Sequence, residues 1–201
     1  MRRIKLLEVR SELGAGTRGA SLGIDALKVA CLNKGSDYFR RFNSVKVPDL
    51  NHVLFEKNHF PFARHIDSIY MVQKGIASTV EQTLRLGEFP LVLAGDHSNA
   101  SATIAGIKAA YPHKTLGVIW IDAHADIHSP YTTPSGNVHG MPLALSLNDD
   151  NRECQRNQPA AETEFFWQRL RDLGEPGPKV APEHLVYVVV RDTEAEENAI
   201  I

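Results

Sequence analysis

Short apolar runs alternate along this chain with longer stretches whose apolar residues recur at helical spacing. Ile4 to Val9 predicts a strand, and Leu22 to Asn33 a helix stopped by Gly35. From Asn43 to Pro61, Val45, Val47, Leu50, Val53 and Phe55 are mixed with Pro48, Asn51 and His52, a pattern of one short strand and loops. Ile66, Ile69, Val72, Ile76, Val80 and Leu84 lie on one helical face, and Gly87 is placed to end that helix. His65, beside this stripe, needs no role. Phe89 to Ala94 is a further strand, Asn99 to Tyr111 an alanine-rich helix, and Leu116 to Ile121 the next strand. Leu185 to Val190, rich in valine, predicts another. Asn148 to Lys179 is polar and irregular, with Gly174 to Pro178 reading as a surface turn. Strands alternating with helices predict an α/β fold with three α/β/α layers and a mainly parallel sheet.

The strand Leu116 to Ile121 runs into Asp122-Ala123-His124-Ala125-Asp126-Ile127-His128, where strong metal-ligand types recur at every second position. If the chain stays extended there, its period of two puts Asp122, His124 and Asp126 on one face. Two carboxylates and an imidazole suit a cation such as Mn²⁺ or Zn²⁺. The competing reading is a solvated strand end with acids in its loop. The strand Phe89 to Ala94 ends similarly, in Gly95-Asp96-His97-Ser98 before a helix. In an open parallel sheet, ligands bind beyond the carboxyl ends of the strands, so His97 joins the aspartates if the two strands are neighbours.

Bulk properties narrow the classes. A chain of 201 residues, 43% hydrophobic and 23% charged, suffices for one domain spanning residues 1–201. A formal charge of -2 gives no electrostatic reason to expect nucleic acid or an anionic membrane as partner. Met1 to Val9 is too short and too interrupted by Lys5 and Glu8 for a signal-peptide core, and no apolar run approaches a membrane span, so the expected location is cytoplasmic. Cys31 and Cys154 are unrelated thiols and form neither a disulfide framework nor a metal clip.

Gly14-Ala15-Gly16-Thr17-Arg18-Gly19 fits G-x-G-x-x-G between a strand and a helix, with Asp37 near the place of a ribose-binding acid. Dinucleotide binding is therefore an alternative. Against it, Arg10-Ser11-Glu12 separates the strand from the glycines, whereas phosphate binding wants the first glycine at the strand's end. The plainer reading is a tight backbone loop.

Gly95-Asp96-His97-Ser98, Asp122-Ala123-His124-Ala125-Asp126 and Ser135-Gly136-Asn137-Val138-His139-Gly140, the last after the pair Thr132-Thr133, together resemble the signature segments of the ureohydrolases, and among them most of all the arginases. The resemblance covers nearly the whole chain and is weakest from Asn148 to Lys179. It implies two Mn²⁺ ions, with His97 and Asp126 on one, His124 on the other and Asp122 bridging. It further implies that His139 shuttles a proton. Ser135 and Asn137 would meet the α-carboxylate side of a small guanidino substrate, and Glu194 and Glu197 the α-amino group. The implied reaction is hydrolysis of L-arginine to L-ornithine and urea, by a homo-oligomer, a trimer or hexamer. The glycine-rich loop would lie at the rim of that site.

Three departures from the family pattern bear on this. His128 stands where arginases commonly have Asn, and Glu194 where they have Asp, which makes the substrate less specified. Family members are also longer and bring a later Asp-x-Asp pair that completes both metal shells. The chain therefore reads as lacking its C-terminal part, as a fragment or truncated frame, with Asn198 to Ile201 opening a helix and an apolar edge exposed at Leu185 to Val190. The alternatives are a sibling amidinohydrolase acting on agmatine, a guanidino acid or formimidoylglutamate, and an inactive chain that keeps some metal ligands while serving as a binding or oligomerisation module.

Overall fold

The computed structural model describes residues 3–201. Its elements in chain order are β1 (Ile4–Val9), α1 (Gly23–Asn33), α2 (Tyr38–Arg41), β2 (Ser44–Val47), α3 (Ile66–Arg85), β3 (Phe89–Ala94), α4 (Asn99–Ala110), β4 (Val118–Ile121), α5 (Pro142–Leu147), α6 (Ala161–Arg171), β5 (Leu185–Val188) and α7 (Ala195–Asn198). Short 3₁₀ turns lie between several of them.

All strand pairs among the described residues are parallel, but they form two sheets, β2-β1-β3 and β4-β5. The expectation that the His97 and Asp122 strands are neighbours is thus corrected: β3 and β4 belong to different sheets. β1 is central in its sheet and buried along Leu6 to Val9, with both neighbours in register. Leu7 and Val9 join the core under α3, while Glu8, buried among apolar residues, is satisfied by Lys28 of α1 at 2.7 Å and by Arg10 at 3.4 Å. Burial would raise the Glu8 carboxyl, but the bond from Lys28 leads a set of cationic and hydrogen-bonding contacts that hold it below the ordinary range.

The three-layer α/β/α arrangement follows from which faces are apolar. α3 buries Ile66, Ile69, Val72, Ile76, Val80 and Leu84 against the sheets and against α4. That helix pair packs closely because Gly106 of α4 has no side chain: a Cβ there would stand 2.8 Å from Val80 Cβ. α3 ends at Arg85 with Leu86 as its cap, and Gly87 takes the left-handed conformation (φ 75°) that closes a helix C-terminus. Trp167 and Leu170 of α6 complete the layer. In the second sheet only one face is covered. Trp120, Leu185 and Tyr187 pack on the core, while Ile119 (70% exposed), Ile121 (72%) and Val186 (55%) face outward. Among the described residues no helix is long and apolar enough to cross a membrane.

Candidate metal and substrate site

The segments leaving β3, β4 and β5 at their carboxyl ends meet the loop 133–140 around a cleft of about 420 Å³. Every residue singled out from the sequence lines it: His97, Asp122, His124, Asp126, His128, Ser135, Asn137, His139, Glu194 and Glu197, joined by Thr133, Pro134, Gly140 and Asp192.

The convergence of the metal-ligand types is not that of a continuing strand. β4 ends at Ile121, and the chain bends at once as the Asp122 carboxylate accepts the His124 N–H at 2.9 Å. Asp126 then adopts φ 50°, a left-handed conformation in which aspartate is one of the better tolerated residues after glycine. A turn, not period two, gathers the ligands. It is pinned from both sides: Ala123 O accepts the Arg191 and Asp192 N–H groups, Ala125 O accepts the Tyr187 hydroxyl at 3.0 Å, and Asp126 O accepts the Leu143 N–H. The same pull bends the other partner, where Val189 takes φ 62° and β5 stops at Val188 instead of Val190.

His97 Nδ1 lies 2.6 Å from Asp126 Oδ2 and 2.9 Å from Asp122 Oδ2, and the three donor atoms are all within 4.8 Å of one another. Trp120 stacks on the His97 ring at 4.4 Å between centroids and 16° between planes. Behind the turn, Gln73 of α3 donates to Ser98 O at 2.8 Å. Burial opposes a charge on His97, but the bond to Asp126 and the negative charges of Asp126, Asp122 and Asp96 outweigh it and hold the ring above its ordinary range. A proton on the ring here takes the place a cation would take. Two carboxylates aimed at one nitrogen repel each other unless positive charge lies between them, and the oxygen and nitrogen donors suit Mn²⁺ or Zn²⁺. The residues therefore fit a divalent ion.

His124 stands to the side, its Nδ1 3.3 Å from Asp122 Oδ1 and its Nε2 3.7 Å from Asp192 Oδ2. Asp122 thus presents one oxygen to His97 and the other to His124. Asp192 is the acid of the cleft that lay outside the ligand set read from the sequence; its spacing to Glu194 was the available signal.

The far wall is built differently. His128 is buried, with Nδ1 3.1 Å from Thr132 Oγ1 and with Nε2 bonded to nothing. Thr132 Oγ1 also accepts the Ser129 N–H at 3.0 Å, which fixes the hydroxyl beside the ring. Nε2 faces Glu194 Oε2 at 3.7 Å and Glu197 Oε2 at 3.8 Å. Glu194 and Glu197 form a reciprocal capping box that starts α7, which corrects the expected helical opening at Asn198 to one ending there. Glu197 also accepts the Ile127 N–H at 3.3 Å, tying α7 to the metal turn.

The loop carrying Ser135, Asn137 and His139 rests on Gly136, at φ 73°, where a Cβ would collide with the Pro61 carbonyl. The glycine-rich segment 14–19 touches this loop, with His139 N donating to Gly14 O at 3.1 Å. It is an irregular rim loop and not a strand-to-helix phosphate turn, which favours the plainer of its two readings. Asp96, beneath it, accepts N–H bonds from Gly14 and Ser98; burial pushes its carboxyl up despite those bonds.

A family model described as the Arginase family matches residues 2–201. The chain belongs to the arginase family. It is 33% identical over 204 residues to an arginase of Bacillus caldovelox, covering 100% of this chain and 62% of that one. To an arginase of Brevibacillus brevis it is 34% identical over 202 residues, covering 98% and 60%. The solved arginase of Bacillus caldovelox superposes with a TM-score of 0.78 at 31% identity, with 100% of this chain and 62% of that chain covered. The arginase of Bacillus cereus gives 0.76 at 32%, covering 100% and 61%. The chain thus spans about three fifths of the length of these family members.

Proposed function

We propose that this arginase-family chain carries the metal and substrate half of a binuclear manganese hydrolase that splits the guanidinium of L-arginine into urea and L-ornithine. The observation that carries the reading is the convergence of His97, Asp122 and Asp126, with His124 beside the other oxygen of Asp122. Two Mn²⁺ ions, one bound tightly by His97, Asp122 and Asp126 and one more weakly beside His124, would supply the Lewis acidity that makes water nucleophilic near neutral pH.

The chain's own residues do the rest. A guanidinium carbon is resonance-stabilised, so its C–N bond breaks only if the leaving nitrogen gains a proton. His139, exposed on the cleft wall and held at its backbone by Gly14, is placed to carry that proton. Ser135 and Asn137 offer hydroxyl and amide groups to the α-carboxylate at the mouth. Glu194 and Glu197 present negative charge for the α-ammonium, and His128, whose Nε2 faces both carboxylates, packs behind them. An amino acid with both groups engages Ser135 and Asn137 together with the glutamates; a decarboxylated guanidine leaves the Ser135 and Asn137 groups without their partner, which costs affinity.

The test is urea release from L-arginine and from agmatine by the Mn²⁺-loaded protein. The reading expects a kcat/KM for arginine at least about a hundredfold higher. Equal values would show that this wall does not read the carboxylate.

A further inference from the structure

The turn after β3 holds a carboxylate that the proposed chemistry does not use. Asp96 is buried, one residue before His97. Its Oδ1 accepts the Ser98 N–H at 2.8 Å, closing a local turn. Its Oδ2 accepts the Gly14 N–H at 3.0 Å, a bond between the segments that leave β3 and β1. Gly14 passes the link on, since its carbonyl accepts the His139 N–H at 3.1 Å. The fit around Gly14 is tight: a Cβ there would stand 2.6 Å from Ser98 Oγ and 2.8 Å from Asp96 Oδ1. Two residues on, a Cβ at Gly16 would stand 2.7 Å from Asn137 Nδ2. The segment 14–16 is therefore a spacer of fixed thickness between Asp96 and the loop that carries Asn137 and His139.

We propose that Asp96 is a positioning residue: through Gly14 it sets the backbone of His139 against the metal ligand His97. The proposal rests on the reading of His139 as the proton carrier. It accounts for the glycine-rich segment without a nucleotide, as the part that lets two strand-end loops approach to hydrogen-bonding distance. It also explains why the residue is an acid. A carboxylate accepts on both oxygens, whereas an asparagine accepts on one and donates on the other. In Asp96→Asn the carbonyl oxygen stays with the nearby Ser98 N–H, and the amide NH₂ faces the Gly14 N–H, donor against donor. The local turn survives and the long link breaks.

The test is amide hydrogen exchange by NMR on the whole 201-residue chain and on D96N. Protection at Gly14 and His139 is expected to fall together by about tenfold or more, with the amides of Val72 to Val80 in α3 unchanged. G14A, which forces the same contact apart from the other side, should reproduce the paired loss. With Mn²⁺ and L-arginine, D96N should lose about tenfold in kcat at a KM within about twofold of the unsubstituted protein, with equal metal content. Unchanged exchange at the two amides, or unchanged kcat, overturns the proposal. So does a loss of protection throughout α3, or failure of both variants to fold, since Asp96 then serves the fold and not the site. A parent protein that releases no urea contradicts the proposed function instead, and the exchange result alone then decides the role of Asp96.

Discussion

His97 Nδ1 lies 2.6 Å from Asp126 Oδ2, although the strands that lead to these two residues belong to different sheets. What joins them is the face of Trp120, the last buried residue of β4, stacked on the imidazole at 4.4 Å. The site therefore depends on packing across the gap between sheets as much as on its ligands. Trp120→Ala should cost about 3–5 kcal/mol of stability and weaken Mn²⁺ binding about 10–100-fold, because the ring of His97 loses its support. Trp120→Phe keeps an aromatic face and removes an indole N–H that has no partner, so it should be much milder. Chemical denaturation and metal titration of both variants check this; equal Mn²⁺ affinity in Trp120→Ala would show that the stacking does not support the ligand.

His128 carries the departure from the usual arginase residue. Its buried Nε2 faces Glu194 and Glu197 without bonding to either. His128→Asn shortens the side chain, so on the proposed reading KM for arginine should rise about five- to tenfold with kcat little changed, the mark of lost uniform binding. Steady-state kinetics decide it, and an unchanged KM would take His128 out of the substrate wall.

Away from the site, Lys179 is buried and donates to the carbonyls of Gly177, at 2.7 Å, and Arg171. Burial lowers its ammonium from 10.5 to about 8. Between those values the unfolded chain holds a proton that the folded chain has released, so this group makes stability rise with pH from about 8 towards 10.5, by at most about 1.4 kcal/mol per unit. Tyr131 opposes it from about 10 upward, its hydroxyl being raised to about 12 by burial and by the bond to Glu164. Denaturation midpoints at pH 7.5 to 9.5, roughly the range where only Lys179 of the two titrates, should rise for the protein and lose that rise in Lys179→Met. A flat profile in both would show that the Lys179 ammonium stays charged in the fold.

Much of this arrangement was legible in the residues. β1 and β3 fall where their apolar runs do: β1 is buried along Leu6 to Val9, and β3, though half-exposed, is apolar throughout. α3 was legible because a stripe over twenty residues has no competing period. α6 was missed: Thr163, Trp167 and Leu170 keep helical spacing, but Glu162, Glu164, Arg169 and Arg171 on the exposed side made the stretch look irregular. The site residues could be named, yet the geometry that joins them could not. The left-handed Asp126 and Val189 are set by hydrogen bonds from Leu143, Arg191 and Asp192, which are distant in sequence or follow from β4-β5 pairing. The split into two sheets was equally hidden, since a single-strand pattern states that a strand exists and not which strand lies beside it.

The central claim is that His97, Asp122 and Asp126 hold a divalent ion. Titration of the 201-residue chain with Mn²⁺, followed by the loss of the free-ion EPR signal, tests it most directly when run beside Asp126→Ala. The account predicts one tightly bound ion per chain that Asp126→Ala weakens by about a hundredfold or more, as expected for loss of one of three converging ligands. The same tight stoichiometry in both proteins, or no tight binding in the parent chain, would contradict it.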